Sequence, residues 1–90
     1  MCRNIKTLHN FSPPATDEEI HASAVQFVRK LSGFAQPSKA NEAPFDRAVE
    51  RVTDAARELL ASLVTSAPPR DRASEAAKAR ERARLRFSPR

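Results

Sequence analysis

The sequence contains little glycine, cysteine or aromatic residue, and each shortage excludes a class of protein. A single glycine, Gly33, argues against a β protein built from tight hairpins, because such turns need residues that accept positive φ. A single cysteine, Cys2, excludes an internal disulfide and fits a reducing compartment. Trp and Tyr are absent, and no apolar run resembles a signal peptide or a membrane span. We therefore expect a cytoplasmic, helical protein.

The positive charge of the chain is concentrated in its last part. Up to residue 69, eight Lys and Arg residues balance eight acids, whereas residues 70–90 hold eight basic residues and three acids. This excess accounts for the whole net charge of +5. We therefore divide the chain into a small body, residues 1–69, and a basic tail, residues 70–90. A body of this size has only a marginal core, so a partner is expected.

The first helix has clear start and stop signals. Thr16 is a good N-cap, and Glu19, three residues later, completes a capping-box pattern. Gly33 stands where a left-handed residue commonly ends a helix. We predict a helix over Asp17–Ser32. The apolar residues within it recur at helical spacing: Ile20, Ala24, Phe27, Val28 and Leu31.

The start of the second helix is open to two interpretations. If Ser38 were the N-cap, Pro44 would lie in the helix interior and clash with the preceding turn. If Asn41 is the N-cap, Pro44 takes the third helical position, where its missing N–H costs nothing, and we favour this interpretation. The helix is expected to reach about Thr65. Its apolar seam steps alternately by four and three residues: Phe45, Val49, Val52, Ala56, Leu59 and Leu63.

The remaining segments predict an arm and a third helix. Ile5, Leu8 and Phe11 recur every three residues, which fits a short helix or an extended arm laid over the helices. Asp71 can cap a helix that runs to about Arg86, and the apolar side of this helix is mostly alanine. The predicted fold is all-α: an antiparallel two-helix hairpin with an N-terminal arm and a basic third helix at the C-terminal end.

Short motifs along the chain resemble a known group of proteins. The chain opens with Met-Cys-Arg-Asn-Ile-Lys, and later motifs are Pro13-Pro14-Ala15-Thr16, Phe27-Val28-Arg29-Lys30, Pro37-Ser38-Lys39-Ala40-Asn41 and Ala67-Pro68-Pro69-Arg70. They resemble a family of short bacterial proteins of unknown function that open with the same six residues. The resemblance covers nearly the full length. It implies a stand-alone bacterial protein, and it supplies no activity, ligand or site.

The second helix offers a candidate surface for self-association. Its predicted length of roughly 36 Å exceeds the roughly 24 Å of the first helix, so the first helix cannot cover the whole seam. An uncovered apolar stripe usually marks an interface, and a homo-oligomer or a protein partner is expected there. The seam residues proposed for this contact are Phe45, Val49, Val52, Leu59 and Leu63.

The tail is a candidate site for a polyanion such as RNA or DNA. Arg80 with Arg84, and Arg82 with Arg86, are like charges four residues apart, which destabilises a helix unless an anion lies between them. No aromatic platform or base-reading motif is present, so contact with nucleic acid is expected to be sequence-neutral. A membrane surface is not expected as a partner, because binding there scales with large apolar area. The residues that could neutralise phosphates are Arg70, Arg72, Lys78, Arg80, Arg82, Arg84 and Arg86.

Cys2 is the candidate reactive group of the chain. Arg3 and Lys6 favour its thiolate, although a small residue packed by the arm is the competing interpretation. Cys2, His9 and His21 match no metal-ligand spacing, and we predict no metal, no cofactor and no catalytic residue.

These observations together predict a non-enzymatic, cytoplasmic binding or accessory protein that acts through its apolar helix seam and its basic tail. The first alternative is sequence-neutral binding of RNA or DNA backbone by the tail. The second is thiol chemistry at Cys2, for which a thin helical body offers little of the required oxyanion hole and substrate pocket.

Overall fold

Three α-helices make up most of the chain. The structure is a computed structural model, and it describes residues 5–87 apart from the side chain of Phe87. The helices are α1 (Asp17–Ser32), α2 (Glu42–Ser62) and α3 (Arg72–Phe87). Two short strands, β1 (Phe11–Ser12) and β2 (Arg70–Asp71), pair in parallel. The prediction of a mainly α-helical protein is confirmed, and the small sheet is a feature that the sequence analysis missed.

Helix α1 begins and ends at the residues that its sequence predicts. The hydroxyl of Thr16 accepts a hydrogen bond from the backbone N–H of Glu19 at 3.2 Å, and Glu19 Oε1 accepts one from the N–H of Thr16 at 3.0 Å. This reciprocal capping box satisfies two N–H groups that would otherwise lack a partner. Gly33 ends the helix with φ 78°, and its N–H donates to the carbonyl of Arg29. Glycine adopts this conformation without strain, because it has no Cβ.

Helix α2 begins after a short 3-10 turn, Lys39–Asn41, for which Ser38 is the N-cap. Asn41 is the N-cap of α2, so the favoured interpretation is confirmed. Pro44 occupies the third helical position, and its missing N–H leaves no broken bond there.

The end of α2 differs from the prediction. The helix stops at Ser62, not near Thr65, and Leu63 has an extended backbone. Val64 and Thr65 are β-branched, which lowers their helix propensity. The hydroxyl of Thr65 also accepts a hydrogen bond from the N–H of Ala67 at 3.1 Å, which stabilises a local turn in place of another helical turn.

The core lies between α1 and α2 and is small. Ala24, Val28 and Val49 form its buried centre, and Phe45 and Val52 of α2 pack against that centre half-buried. Ala24 is only 2% exposed, so its small side chain lets the two helices approach closely. Burying a side chain such as valine contributes roughly 1.5–3 kcal/mol, so a core of so few residues is modest.

Polar contacts within α2, and one ion pair between α2 and α1, accompany this core. Thr53 is buried, and its hydroxyl donates to the carbonyl of Val49 at 2.7 Å, so no buried hydroxyl is left unpaired there. Arg57 contacts Asp17 at 3.1 Å and Asp54 at 2.8 Å. Both ion pairs are well exposed, and exposed pairs of this kind contribute little to stability.

The molecule is flat, and α3 projects from it. Its dimensions are 49 × 39 × 16 Å and its radius of gyration is 16.2 Å, whereas a compact chain of this length has a radius of about 12 Å. Most described side chains of α3 are exposed, and Arg72, Glu75 and Ala83 are the half-buried ones. Within residues 5–87, none of the helices combines the length and the apolar character needed to cross a membrane.

A chain that ends after Pro69 is expected to keep a cooperative thermal transition. The buried residues of the described chain all lie on α1 and α2, so removal of α3 leaves that core intact. Circular dichroism at increasing temperature, with the full-length chain as control, measures the transition. A featureless melt would show that residues 70–87 belong to the core and that the division at residue 69 is wrong.

Candidate functional site

A bidentate ion pair joins the first residue of α3 to α1. Arg72 Nη1 contacts Glu19 Oε2 at 2.9 Å, and Arg72 Nη2 contacts Glu19 Oε1 at 2.9 Å. The third guanidinium nitrogen of Arg72, Nε, donates to the carbonyl of Pro13 at 2.6 Å. The Arg72 and Glu19 side chains are 32% and 25% exposed, so the pair is shielded better than the other ion pairs of the described chain. Planar, bidentate contacts of this kind are the strong form of an Arg–carboxylate pair.

Glu19 serves both the start of α1 and the attachment of α3. Its Oε1 accepts hydrogen bonds from Arg72 and from the backbone N–H of Thr16. The hydrogen bonds from Arg72 and then from Thr16 lower the pKa of Glu19 to about 2, against a partial desolvation that raises it. The Glu19 carboxylate is therefore ionised at neutral pH and remains so well below the usual pKa of a glutamate.

Asn10 holds the segment that precedes α3. Its backbone has φ 63°, a left-handed conformation that asparagine tolerates better than most residues. Its side-chain Nδ2 donates to the carbonyls of Ala67 and Pro68, at 3.3 and 3.2 Å, and its own carbonyl accepts from the N–H of Arg70 at 2.8 Å. Asn10 thereby aligns β1 with β2.

Phe11 adds an aromatic contact beside this ladder. The guanidinium carbons of Arg70 and Arg72 lie 5.6 and 5.5 Å from the centre of its ring, within the range of a cation–π interaction. Two of the seven predicted polyanion residues thus contact the N-terminal arm.

The other five predicted polyanion residues lie further along α3. Lys78 pairs with Glu75 at 3.3 Å, and Arg84 pairs with Glu81, whose carboxylate raises the pKa of Arg84. The remaining three residues are exposed, and they are Arg80, Arg82 and Arg86. Arg80 and Arg82 make no ion pair with a residue of the described stretch. The helical spacing points the five cations in several directions, so they do not form one compact patch.

An apolar groove of about 380 Å³ opens between the end of α1 and the start of α2. We call it the open groove, and its main lining residues are Phe27, Leu31, Phe34, Pro44, Phe45, Ala48 and Val52. Leu31 is 72% exposed, and Phe27 and Phe34 are each exposed by about two fifths. The N-terminal arm lies along the neighbouring part of the same face, where Ile5 and Leu8 line a cavity together with Ala56. Between that part of the face and Leu31, the groove is uncovered.

The five predicted seam residues fall into different surroundings. Val49 is buried in the core, and Phe45 and Val52 are half-buried against it and line the open groove. Leu59 and Leu63 are 56% and 44% exposed near the other end of α2. The structure therefore does not bring the five together on one free surface.

Sequence reasoning missed the contribution of α1 and its C-terminal loop to the open groove. Phe27 and Leu31 belong to the apolar face that the sequence predicts for α1. In the structure, both side chains extend past the strip that α2 covers. A signal was present, because Phe27, Leu31 and Phe34 place three large apolar residues near the end of α1.

The described residues contain no cluster of three His, Cys, Asp or Glu side chains that could hold a metal ion. His9 is half-buried and lines a cavity together with Leu60, and His21 is exposed on α1. Cys2, the candidate thiol, lies outside the described residues. The described side chains present an apolar groove between α1 and α2 and exposed cations that point in several directions along α3.

Comparison with protein-family models shows to which family the chain belongs. The family model described as "Uncharacterized conserved protein (DUF2277)" matches residues 1–78. The chain belongs to this family. The match confirms the resemblance to a family of unknown function. The stretch matched by the DUF2277 model includes Asn10, Glu19, Arg72 and the whole open groove. Four arginines of α3 lie beyond it: Arg80, Arg82, Arg84 and Arg86. No curated protein and no solved structure matches the chain.

Glu19→Gln is expected to lower the free energy of unfolding by about 1–2 kcal/mol at pH 7, because it removes the charge that Arg72 contacts. Glutamine still suits the third helical position of a capping box, so the cap is retained. The folded-state pKa of Glu19 lies below its usual value of 4.5, so the contribution is present above that value and is lost as the pH falls towards 2. The difference between the wild type and the variant should shrink over the same window in urea unfolding.

Glu18→Gln is the matched control, because Glu18 is an exposed neighbour on the same turn. It should leave the stability and its pH dependence nearly unchanged. A constant difference between the wild type and Glu19→Gln down to pH 2 would contradict an ionic role for Glu19.

Proposed function

We propose that this protein is a non-enzymatic binding or accessory protein, and that the open groove binds a protein partner. The observation that carries the proposal is Leu31, which is 72% exposed beside Phe27 and Phe34. Contiguous large apolar side chains left in water are costly, and on soluble proteins they usually mark an interface. A partner that covers them would also add to the modest core beneath.

The proposed scaffold is an antiparallel hairpin of α1 and α2. Two contacts support it: Arg57, near the end of α2, reaches Asp17, the first residue of α1, and Phe45, near the start of α2, packs on the cluster that contains Val28. In such a hairpin the end of α1 and the start of α2 lie side by side, which is the geometry that forms the open groove.

A second copy of the chain is a proposed partner at the other end of α2. Leu59, Leu63 and Val64 are exposed there, the last of them by 95%. Together they extend the predicted self-association seam beyond the part that α1 covers. A two-fold homodimer is the commonest arrangement for such a surface.

Leu31→Glu is expected to abolish capture of a protein partner by the immobilised chain. When a bound protein covers the open groove, the new carboxylate would be buried without a hydrogen bond or an opposite charge, which is costly. Leu85→Glu is the matched control, since Leu85 is 62% exposed but lies outside the groove and outside the proposed self-association surface. Both variants should keep the wild-type melting curve. The measurement is quantitative mass spectrometry of proteins retained from a cell extract, before and after nuclease treatment.

A partner retained equally by Leu31→Glu and by the wild type would argue against the open groove. Loss of every retained protein after nuclease treatment would instead favour a nucleic acid as the partner.

Binding of RNA or DNA backbone by α3 is the alternative function, and the exposure of α3 favours it. The helix lies apart from the core, and Arg80 and Arg82 keep their charges unneutralised by a nearby carboxylate of the described chain. A short helix of this kind is marginal in water on its own, so an anionic partner would stabilise it.

If α3 binds single-stranded RNA, the affinity for poly(U) should fall steeply as salt rises. Replacing both Arg80 and Arg82 with Gln should then reduce the slope of log K against log salt by about 1.4, since each neutralised phosphate contributes about 0.7. The pair Arg29→Gln and Arg47→Gln removes the same charge from the body and should leave the slope unchanged. Fluorescence anisotropy of labelled poly(U) measures both, and equal slopes in the two double variants would contradict binding by α3.

Thiol chemistry at Cys2 is the second alternative, and alkylation of the intact chain followed by mass measurement tests its reactivity. The proposal also includes a cytoplasmic location, which the single cysteine supports. The division into a body, residues 1–69, and a basic tail, residues 70–90, is part of the same proposal.

A further inference from the structure

We propose that the partner of the open groove is an acidic amphipathic helix. This inference rests on the proposed function and adds the charge and the conformation of the partner. It is carried by two exposed cations, Lys30 and Arg51, at the outer edges of the groove.

Helical geometry places one cation on each side of the apolar lining. Lys30 follows Phe27 by three residues on α1, and Arg51 follows Ala48 by three residues on α2. Residues three apart are neighbours on a helix surface, so each cation stands directly beside a lining residue. Neither Lys30 nor Arg51 makes an ion pair within the described stretch of the chain.

The acids of α2 do not cancel this charge at the groove. Asp54 is three residues from Arg51, but its carboxylate contacts Arg57 at 2.8 Å. Asp46 and Glu50 are exposed, but each lies about 100° or more around the helix from Arg51. They therefore occupy the side of α2 that faces away from the groove edge. On α1 the acids are Asp17, Glu18 and Glu19, at the opposite end of the helix from Lys30.

The dimensions of the groove suit a helix. From Pro44 to Val52 the lining of α2 extends about 12 Å, which equals about two helical turns of a partner. A partner helix that lies between α1 and α2 would present apolar residues at positions i, i+3, i+4 and i+7 to the groove. Its acidic residues would extend outward to Lys30 and Arg51.

Charge also argues against segments of this chain as occupants. Helix α3 of a second copy is strongly basic, so it would bring its arginines towards Lys30 and Arg51. Two open grooves placed face to face would likewise bring four cations together. Like charges at an interface disfavour a partner, so an acidic helix fits better than either arrangement.

The test uses two labelled helical peptides on the full-length chain. Both carry leucine at i, i+3, i+4 and i+7, and the flanking positions are glutamate in one and lysine in the other. We expect the acidic peptide to bind about tenfold more tightly at low salt, with the preference decreasing as salt rises. Fluorescence anisotropy measures both affinities.

Charge-reversal variants locate the effect. Lys30→Glu combined with Arg51→Glu should reverse the preference, so that the lysine peptide binds more tightly. Lys6→Glu combined with Arg29→Glu gives the same net charge away from the groove edges, because Lys6 lies near Glu19 at the other end of α1, and this variant should keep a preference for the acidic peptide. Circular dichroism confirms that each variant is folded.

Each other outcome has a definite meaning. Equal binding of both peptides, lost in Leu31→Glu, would overturn the charge inference and leave the open groove as an apolar binding site. A preference for the acidic peptide that survives Lys30→Glu with Arg51→Glu would overturn it too, because the attraction would come from the whole chain. Binding of neither peptide would count against both this inference and the proposed function for a helical partner.

Discussion

Two helices packed side by side bury only the strip along which they touch, and this limit governs the whole molecule. Ala24, Val28 and Val49 fill that strip. Large residues such as Leu31 stand at its edge and need some other cover. The N-terminal arm, with Ile5 and Leu8, supplies cover on one part of the face only. The open groove is therefore a direct consequence of building a small protein from two paired helices and a short arm.

Helix α3 is attached by polar contacts, in contrast to α1 and α2. Its alanine-rich side offers little apolar area, so burial alone could not hold it. Three contacts hold α3 at its first turn. They are the bidentate ion pair of Arg72 with Glu19, the β1–β2 pairing beside Asn10, and the contact of Arg72 with the ring of Phe11. Because Glu19 also caps α1, the start of one helix and the position of another depend on the same carboxylate.

The sequence predicted the features that depend on local chemistry. The capping box of Thr16 and Glu19, the left-handed Gly33 and the N-cap Asn41 each follow from residues a few positions apart. The ion pair of Arg72 with Glu19 and the β1–β2 ladder join segments more than 50 residues apart, and no spacing rule reports such contacts. The exposure of Leu31 was missed for a related reason: periodicity identifies an apolar face but not how much of it the neighbour covers.

The open groove and the attachment of α3 lie towards opposite ends of α1, and this separation has a functional consequence. The anchor of α3 is at Glu19 and the open groove surrounds Leu31, about 18 Å apart along the helix. That distance exceeds the Debye length of about 8 Å at physiological ionic strength, so the charge of α3 is largely screened at the groove. The local cations Lys30 and Arg51 therefore set the electrostatics of the groove, and a partner bound there leaves α3 free to contact a second molecule.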